Sequence, residues 1–385
     1  MRSTRGALRR SATSLVAIAT FGLVACSASG SGAVTVRPMT SATPCTEATQ
    51  LAKWTDSQLA AQVLVAPVTF AKLSAADGLV RAGFGGLILY GPAAPANLGQ
   101  QLAALQSKTH GIAPLIMADE EGGTVQRLQS IVGYVPSARY MTATMSPSGI
   151  FNLARTIGRK MSAAHVGVDL APVLDVDSRP GPNNNNPDGT RSFSGDWHVA
   201  MKNGTAFAMG LRAGGVIAVV KHFPGLGGST GNTDVGAGHT LPWSVLQRGP
   251  LIAFKNALAV GVPAVMVANA SVPGLTTKPA SVSASVINGV LRSQWHFKGV
   301  VITDSLSAGA LRAAGYSLNA AVVASLNSGA DLLLFGTSTT TAPAISFSAQ
   351  NALVHAVRTG VVPRSRLLAA VGRVLTLKRV NLCVR

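Results

Sequence analysis

The chain has 385 residues, a formal charge of +18 at pH 7, and 47% apolar against 12% charged residues. That balance supports a large core and excludes a disordered or low-complexity polyelectrolyte. Its 32 Lys and Arg are scattered, with no basic run and no interleaved aromatics. Nucleic acid is therefore not read as a partner, whereas anionic lipid headgroups or acidic wall polymers suit the charge.

Residues 1–25 carry Arg2, Arg5, Arg9 and Arg10, no acid, and an apolar run over 15–25. That run is too short for a spanning helix and has the layout of a secretory signal. It ends Leu23-Val24-Ala25-Cys26, which resembles the bacterial lipobox, whose Cys is lipidated and becomes the mature N-terminus; an incidental Cys after an ordinary signal is the alternative. Residues 26–48, rich in Ser, Gly, Ala and Thr, read as a flexible tether. The expectation is an exported protein, anchored through lipid on Cys26 to the outer face of the bacterial membrane. The remaining cysteines, Cys45 and Cys383, flank the folded region and are expected to form a disulfide, as an isolated pair in an exported chain usually does. Two free thiols are the alternative.

Residues 49–385 read as one domain. Near-continuous apolar, β-branched runs recur over 62–68, 86–90, 114–118, 166–176, 215–220, 264–268, 299–303 and 331–335, the pattern of parallel strands buried on both faces. Helical patterns lie between them at 96–107, 150–165, 198–213, 243–259, 284–294 and 318–328. This alternation predicts an α/β fold, a (β/α)8 TIM-type barrel. An open doubly wound sheet is the runner-up, but its early Gly-rich dinucleotide fingerprint is missing.

Reactive side chains cluster at the ends of these runs. Asp119, Glu120, Glu121 and Arg127 follow the third; Asp175, Asp177 and, past four asparagines, Arg191 follow the fourth; Lys221 and His222 follow the fifth; Asp304 follows the seventh. Singly, an Asp is a common N-cap and an Arg a common ion-pair partner. Their recurrence at four strand ends predicts convergence on one mouth of the barrel. After Lys221 and His222 comes a long Gly-rich loop carrying Asp234 and His239. The last Glu in the chain is Glu121, so any acid, base or nucleophile beyond it must be another residue type. Asp304 is then a candidate nucleophile, and His239 a candidate proton donor, for a glycosidase-type reaction. Gly227-Gly228-Ser229-Thr230-Gly231 fits the serine-hydrolase G-x-S-x-G pattern, but Pro224-Gly225 precedes it where a nucleophile elbow needs a strand. No zinc-ligand spacing and no phosphate-binding Gly-Lys-Ser/Thr occurs, so neither metal nor cofactor is expected.

Five strings, MADEEGGTVQRL, APVLDV, TRSFSGD, VVKHFPGLG and VVITDSLS, together resemble the family 3 glycoside hydrolases, above all their single-domain bacterial β-N-acetylglucosaminidase branch. The resemblance covers most of residues 50–380, with its motifs in order. It implies a (β/α)8 barrel and retaining exo-removal of β-linked N-acetylglucosamine from peptidoglycan fragments through a covalent glycosyl-Asp intermediate. The implied nucleophile falls on Asp304 and the implied loop acid/base on His239. The implied sugar-binding positions fall on Asp119, Arg127, Arg191, Lys221 and His222. The chain departs from the family loop twice. Leu226 stands where a His is usual, and no Asp lies two residues before His239. Asp234, five residues back, is the nearest partner for that His, or else a turn residue. The loop is expected to be mobile and to close over substrate, and a monomer is expected. A β-glucosidase-like specificity, or a catalytically inactive wall-binding lipoprotein, stays open at this point, as does water or phosphate as acceptor.

Overall fold

A parallel strand covered on both faces sends alternate residues to opposite sides, so aliphatic residues are needed at every position. The computed structural model describes residues 46–336 and 342–384. The strands are β1 (Leu64–Thr69), β2 (Gly86–Tyr90), β3 (Leu115–Ala118), β4 (Val168–Asp169), β5 (Ile217–Phe223), β6 (Ala264–Val267), β7 (Val300–Thr303) and β8 (Leu333–Leu334). They form one parallel sheet in the order β8-β1-β2-β3-β4-β5-β6-β7. A parallel bridge from Ile302 to Leu332 brings its two ends together, so the sheet is nearly closed into a barrel. Helices α1 (Leu98–Gln106), α2 (Pro147–Ala163), α3 (Trp197–Ala213), α4 (Pro250–Ala259), α5 (Leu318–Ser328), α6 (Ala342–Arg358) and α7 (Arg364–Lys378) surround it. The expected α/β barrel is the observed one, and each strand overlaps its expected run. Among the described residues, no helix is long and apolar enough to cross a membrane.

Some boundaries differ for local reasons. Only Val168–Asp169 of the fourth run pairs as a strand, because Pro172 has no N–H to give to a ladder. The chain nonetheless stays beside β5, with the Lys221 amide on the Pro172 carbonyl at 3.1 Å and the Leu174 amide on the Lys221 carbonyl at 2.7 Å. The helix expected over 243–259 is two, Trp243–Leu246 and α4, separated at Gly249 with Pro250 opening the second. Residues 285–294 wind as a π-helix. Helices α6 and α7 have no counterpart among the expected patterns.

The alternation along the strands builds the site. Val65, Ile88, Met117, Val168, Val219, Met266, Ile302 and Leu334, from all eight strands, touch one another in a single buried cluster. One residue per strand in mutual contact is the filled interior of a barrel. Their strand neighbours Leu64, Leu87, Ala118, Ala218, Val265, Val301 and Leu333 belong instead to the larger cluster shared with the helices. Two residues beyond an inward position the chain points inward again. Tyr90, Asp119, Lys221 and Asp304 hold those places after Ile88, Met117, Val219 and Ile302, and all line one cavity.

At the opposite end of β8, fully buried Asp331 accepts from Arg373 at 3.0 Å, from Arg366 at 3.1 Å and from Arg292, and it also takes the Val301 amide at 3.0 Å. Removing one partner of a buried ionic network leaves uncompensated charge. Asp331→Ala is expected to cost about 3 kcal/mol of stability, read from the urea midpoint. A loss within experimental error would show that the cluster does not hold β8 to α7.

Cys383 is disulfide-bonded. Cys26 and Cys45 lie outside the described residues, as do the expected signal segment and nearly all of the expected tether.

Candidate active site

The cavity at the C-terminal mouth of the barrel measures about 220 Å³. Leu170, Met266 and Leu334, the last inward apolar residues of their strands, form its floor. Immediately after β3 the chain makes a small antiparallel hairpin, Glu120–Gly122 with Val125–Gln126, which folds Glu121 back toward β5. There Glu121 receives Arg191 in a two-pronged pair, Nε on Oε2 at 2.7 Å and Nη2 on Oε1 at 2.8 Å. Lys221 Nζ sits 2.6 Å from Glu121 Oε1 and 2.6 Å from Asp119 Oδ1. Burial alone would raise the pKa of Glu121, but Arg191 and Lys221 outweigh it and hold the carboxylate well below the usual range. Planar bidentate pairing of this kind fixes orientation as well as charge.

His222 is oriented from behind. Its Nδ1 lies 2.6 Å from Asp175 Oδ2, while Asp175 also takes the Leu226 amide at 2.7 Å. Burial, reinforced by the neighbouring Arg191 guanidinium, pushes the His222 pKa down to about 4. The ring is thus neutral near pH 7, donating from Nδ1, with Nε2 placed to accept from Arg191 Nη2 at 3.5 Å. Asp188 is fully buried behind it, both oxygens lack a hydrogen-bond partner, and burial pushes its pKa well up. Ligand atoms of Asp175, Asp188 and His222 lie within 4.8 Å of one another. An ion there would have to replace the His222–Asp175 hydrogen bond.

Asp304 extends β7 into the cavity. Its own amide reaches the Val267 carbonyl at 2.9 Å, and its Oδ1 takes the Ser305 amide at 2.7 Å. Burial raises its pKa; His222, the Ser305 amide and Lys221 act against that, and Asp234 adds to it. Arg127 also lines the cavity, and its Nε is buried without a partner.

Asp119, Arg127, Arg191, Lys221, His222, Asp234 and Asp304 therefore meet in one place. His239 does not join them. Its ring is exposed, with Nδ1 3.2 Å from the Thr240 carbonyl, and its backbone bridges to Ser271 beside β6. No hydrogen bond links it to Asp234, so the expected Asp234–His239 pair is not formed. The reason is the course of residues 235–238, which carry the chain away from the mouth until the Gly238 carbonyl takes the Ser271 amide at 3.0 Å. The Gly-rich loop is tied to its neighbours in this conformation. Asn184 receives the Asn232 amide at 3.1 Å, and Arg179 donates to the Ser229 carbonyl at 3.1 Å. A Cβ at Gly227 would fall 2.1 Å from the Val176 carbonyl oxygen, so glycine permits the close approach. Ser229 is 1% exposed, donates to the Gly231 carbonyl at 3.3 Å, and does not line the cavity, which removes the serine-nucleophile reading.

Glu121, Tyr90, Asp175 and Asp188 were not assigned roles by sequence. For Glu121 a signal existed, since a Glu before Gly-Gly at a strand end marks a tight turn that returns its side chain over the barrel mouth.

The chain matches the family model described as "Glycosyl hydrolase family 3 N terminal domain" over residues 58–377. It is 36% identical over 287 residues, 72% of each chain, to "Beta-hexosaminidase LpqI" of Mycobacterium tuberculosis. It is 32% identical over 250 residues to a beta-hexosaminidase of Xylella fastidiosa, covering 63% of this chain and 72% of that one. Among solved structures, M. tuberculosis LpqI superposes with a TM-score of 0.77 at 32% identity, over 87% of this chain and 96% of that one. A family 3 β-N-acetylglucosaminidase from Paenibacillus sp. superposes with a TM-score of 0.78 at 31% identity, over 85% of this chain and 62% of that one.

Proposed function

Because the chain belongs to glycosyl hydrolase family 3, we propose that it is a retaining exo-β-N-acetylglucosaminidase that removes β-linked N-acetylglucosamine from the non-reducing ends of peptidoglycan fragments. The observation that carries this reading is Asp304. It is an inward carboxylate at a strand end, above an apolar floor and facing a preorganised set of charged groups. Lys221, Asp119 and Arg191 are fixed by one another and by Glu121 before substrate arrives, so they hold sugar hydroxyls with little reorganisation. Neutral His222, its Nε2 beside Arg191, and Arg127 line the same cavity.

In the first step an Asp304 oxygen bonds to the anomeric carbon as the glycosidic C–O bond breaks and the leaving oxygen takes a proton. In the second, water attacks the same carbon, loses a proton to the enzyme, and releases Asp304. Two displacements return the β configuration. The names of the relatives support the N-acetylhexosamine preference. The apolar leader with Cys26 supports export, with a lipid anchor on the outer face of the membrane next to wall fragments. We read the protein as acting there as a monomer.

The test is product analysis on a defined N-acetylglucosaminyl-β-1,4-N-acetylmuramyl fragment, with and without phosphate. Released N-acetylglucosamine appearing first as the β-anomer is expected. Cleavage of an aryl β-glucoside with no release of N-acetylglucosamine would sink the specificity, and inverted product would sink the mechanism. Mass spectrometry of the exported protein from its host should find diacylglyceryl on Cys26; a free thiol there would rule out the anchor.

A further inference from the structure

We infer that Asp234, and not His239, is the group that gives the proton to the leaving oxygen and later takes it from water. The inference rests on the glycosidase reading above and specifies the second half of its chemistry.

Such a reaction needs a titratable group beside the scissile bond that is free to move a proton. The ionisable side chains lining the cavity can be taken in turn. Glu121 is clamped between Arg191 and Lys221, and Asp119 is committed to Lys221 at 2.6 Å. Those cations serve as the other halves of the same pairs. His222 gives its Nδ1 proton to Asp175. Tyr90 is pushed far above its ordinary pKa, first by burial and then by Asp119. Asp304 is the nucleophile. Asp234 remains, lining the cavity, with no side-chain hydrogen bond to any described residue.

The backbone fixes Asp234 with respect to the nucleophile. Its carbonyl accepts the Gly309 amide at 2.9 Å, and the Thr233 carbonyl accepts the Ala310 amide at 3.0 Å. Gly309 lies on the segment that leaves β7 through Asp304 and Ser305, so the loop bearing Asp234 is docked on the loop bearing the nucleophile. The docking depends on a bare Cα, since a Cβ at Gly309 would fall 2.1 Å from the Val235 carbonyl oxygen. Asn232 Oδ1 takes the Asp234 amide at 3.0 Å and closes the turn that presents the carboxyl. His239 is held on the other limb of the loop. Its carbonyl takes the Thr230 amide at 3.0 Å and its amide donates to Thr230 Oγ1 at 3.1 Å. Both bonds, with the bridge to Ser271, fix the backbone of that limb.

The electrostatics suit the assignment. Asp234 stands exposed at the rim, yet desolvation on its cavity side and the charge of Asp119 raise its pKa against Arg191 and Lys221, and Asp234 in turn raises that of Asp304. Two carboxyls facing one cavity favour a state with a single shared charge; the assigned roles put that charge on Asp304 and the proton on Asp234. In the first step that proton passes to the leaving oxygen as the Asp304–carbon bond forms. The ester removes the charge on Asp304, the Asp234 carboxylate becomes the stable form, and it is ready to take a proton from water as the ester bond breaks.

The experiment compares Asp234→Ala, Asp234→Asn and His239→Ala on two substrates: the muramyl disaccharide, with a poor leaving group, and 2,4-dinitrophenyl β-N-acetylglucosaminide, which needs no protonation. For Asp234→Ala, kcat/KM on the disaccharide is expected to fall by about 10²–10⁴-fold, and on the dinitrophenyl substrate by less than about tenfold. Azide should restore turnover and yield the β-glycosyl azide, and Asp234→Asn should lose the alkaline limb of the pH profile. His239→Ala should change both substrates by the same factor, with no response to azide. The inference is overturned if His239→Ala shows the leaving-group-dependent loss and azide rescue while Asp234→Ala lowers both substrates equally. If the wild-type chain cleaves neither substrate, the glycosidase reading itself fails; an active wild type with an azide-insensitive Asp234→Ala overturns this inference alone.

Discussion

Asp304→Asn is expected to reduce kcat on an aryl β-N-acetylglucosaminide by on the order of 10⁴-fold or more, as loss of a covalent nucleophile does in other hydrolases. The substitution is nearly isosteric, and the Ser305 amide at 2.7 Å can bond to the remaining carbonyl oxygen. The fold should therefore be kept and the loss should lie in chemistry. Three features make the effect large. The carboxylate stands inward at a strand end, where the Ser305 amide and Lys221 favour its charged form against burial. No other carboxylate in the cavity is both free of a cation and anchored to a barrel strand. The apolar floor and the buried Glu121, Lys221 and His222 side chains lower the local dielectric, which strengthens each charge interaction. A slow 5-fluoro β-N-acetylglucosaminide, which keeps the 2-acetamido group, should leave a sugar mass on the peptide containing Asp304. Near-normal turnover by Asp304→Asn, or a sugar mass on another peptide, would remove it from that role.

Glu121→Gln should produce the second large effect, on folding and binding together. Glu121 has one oxygen shared by Lys221 and Arg191 and the other held by Arg191. Its amide would present an N–H₂ to at least one of those cations inside the protein, leaving buried charge uncompensated, at about 3–5 kcal/mol. Because Lys221 and Arg191 are the groups that hold sugar, KM should rise with the loss of stability. The pH dependence has a definite sign. The carboxylate pKa is lowered in the folded state, so the unfolded chain binds more protons wherever pH lies between the folded value and about 4.3. The contribution of Glu121 is therefore complete above that unfolded pKa and is lost progressively as the medium is acidified below it. Urea midpoints of the wild type should fall between about pH 5 and pH 2 more steeply than those of Glu121→Gln. Parallel curves would show that Glu121 is not the group responsible.

What could be read from the sequence follows from where the folding information is local. The barrel strands are short apolar runs, visible because both faces must be covered. A polar residue at the end of such a run is equally visible, which is why Asp119, Lys221 and Asp304 stand out in the sequence. Helices α6 and α7 are hidden in the sequence, since their Ala, Ser and Arg content dilutes the apolar period. The loop was harder. A Gly-rich segment has no periodicity, and the side of it that faces the cavity is decided by a contact with Gly309, far away in sequence. Pattern alone favoured His239, whereas the docked loop presents Asp234. The motif around Glu121 does not by itself reveal a task for it, because the hairpin that turns it toward Arg191 and Lys221 is set by pairing with Val125–Gln126.

The strict inside–outside alternation of the strands also constrains how this protein can change over time. A residue gained or lost in a loop alters a reach or a rim, and the barrel mouth can absorb it. A residue gained or lost within β7 reverses parity, so that Asp304 would face the helices and a neighbour would take its place over the cavity. The catalytic address is thus written in odd and even positions as much as in residue identity. Insertions and deletions compatible with activity should be confined to segments outside the eight strands, however freely side chains within them exchange one aliphatic for another.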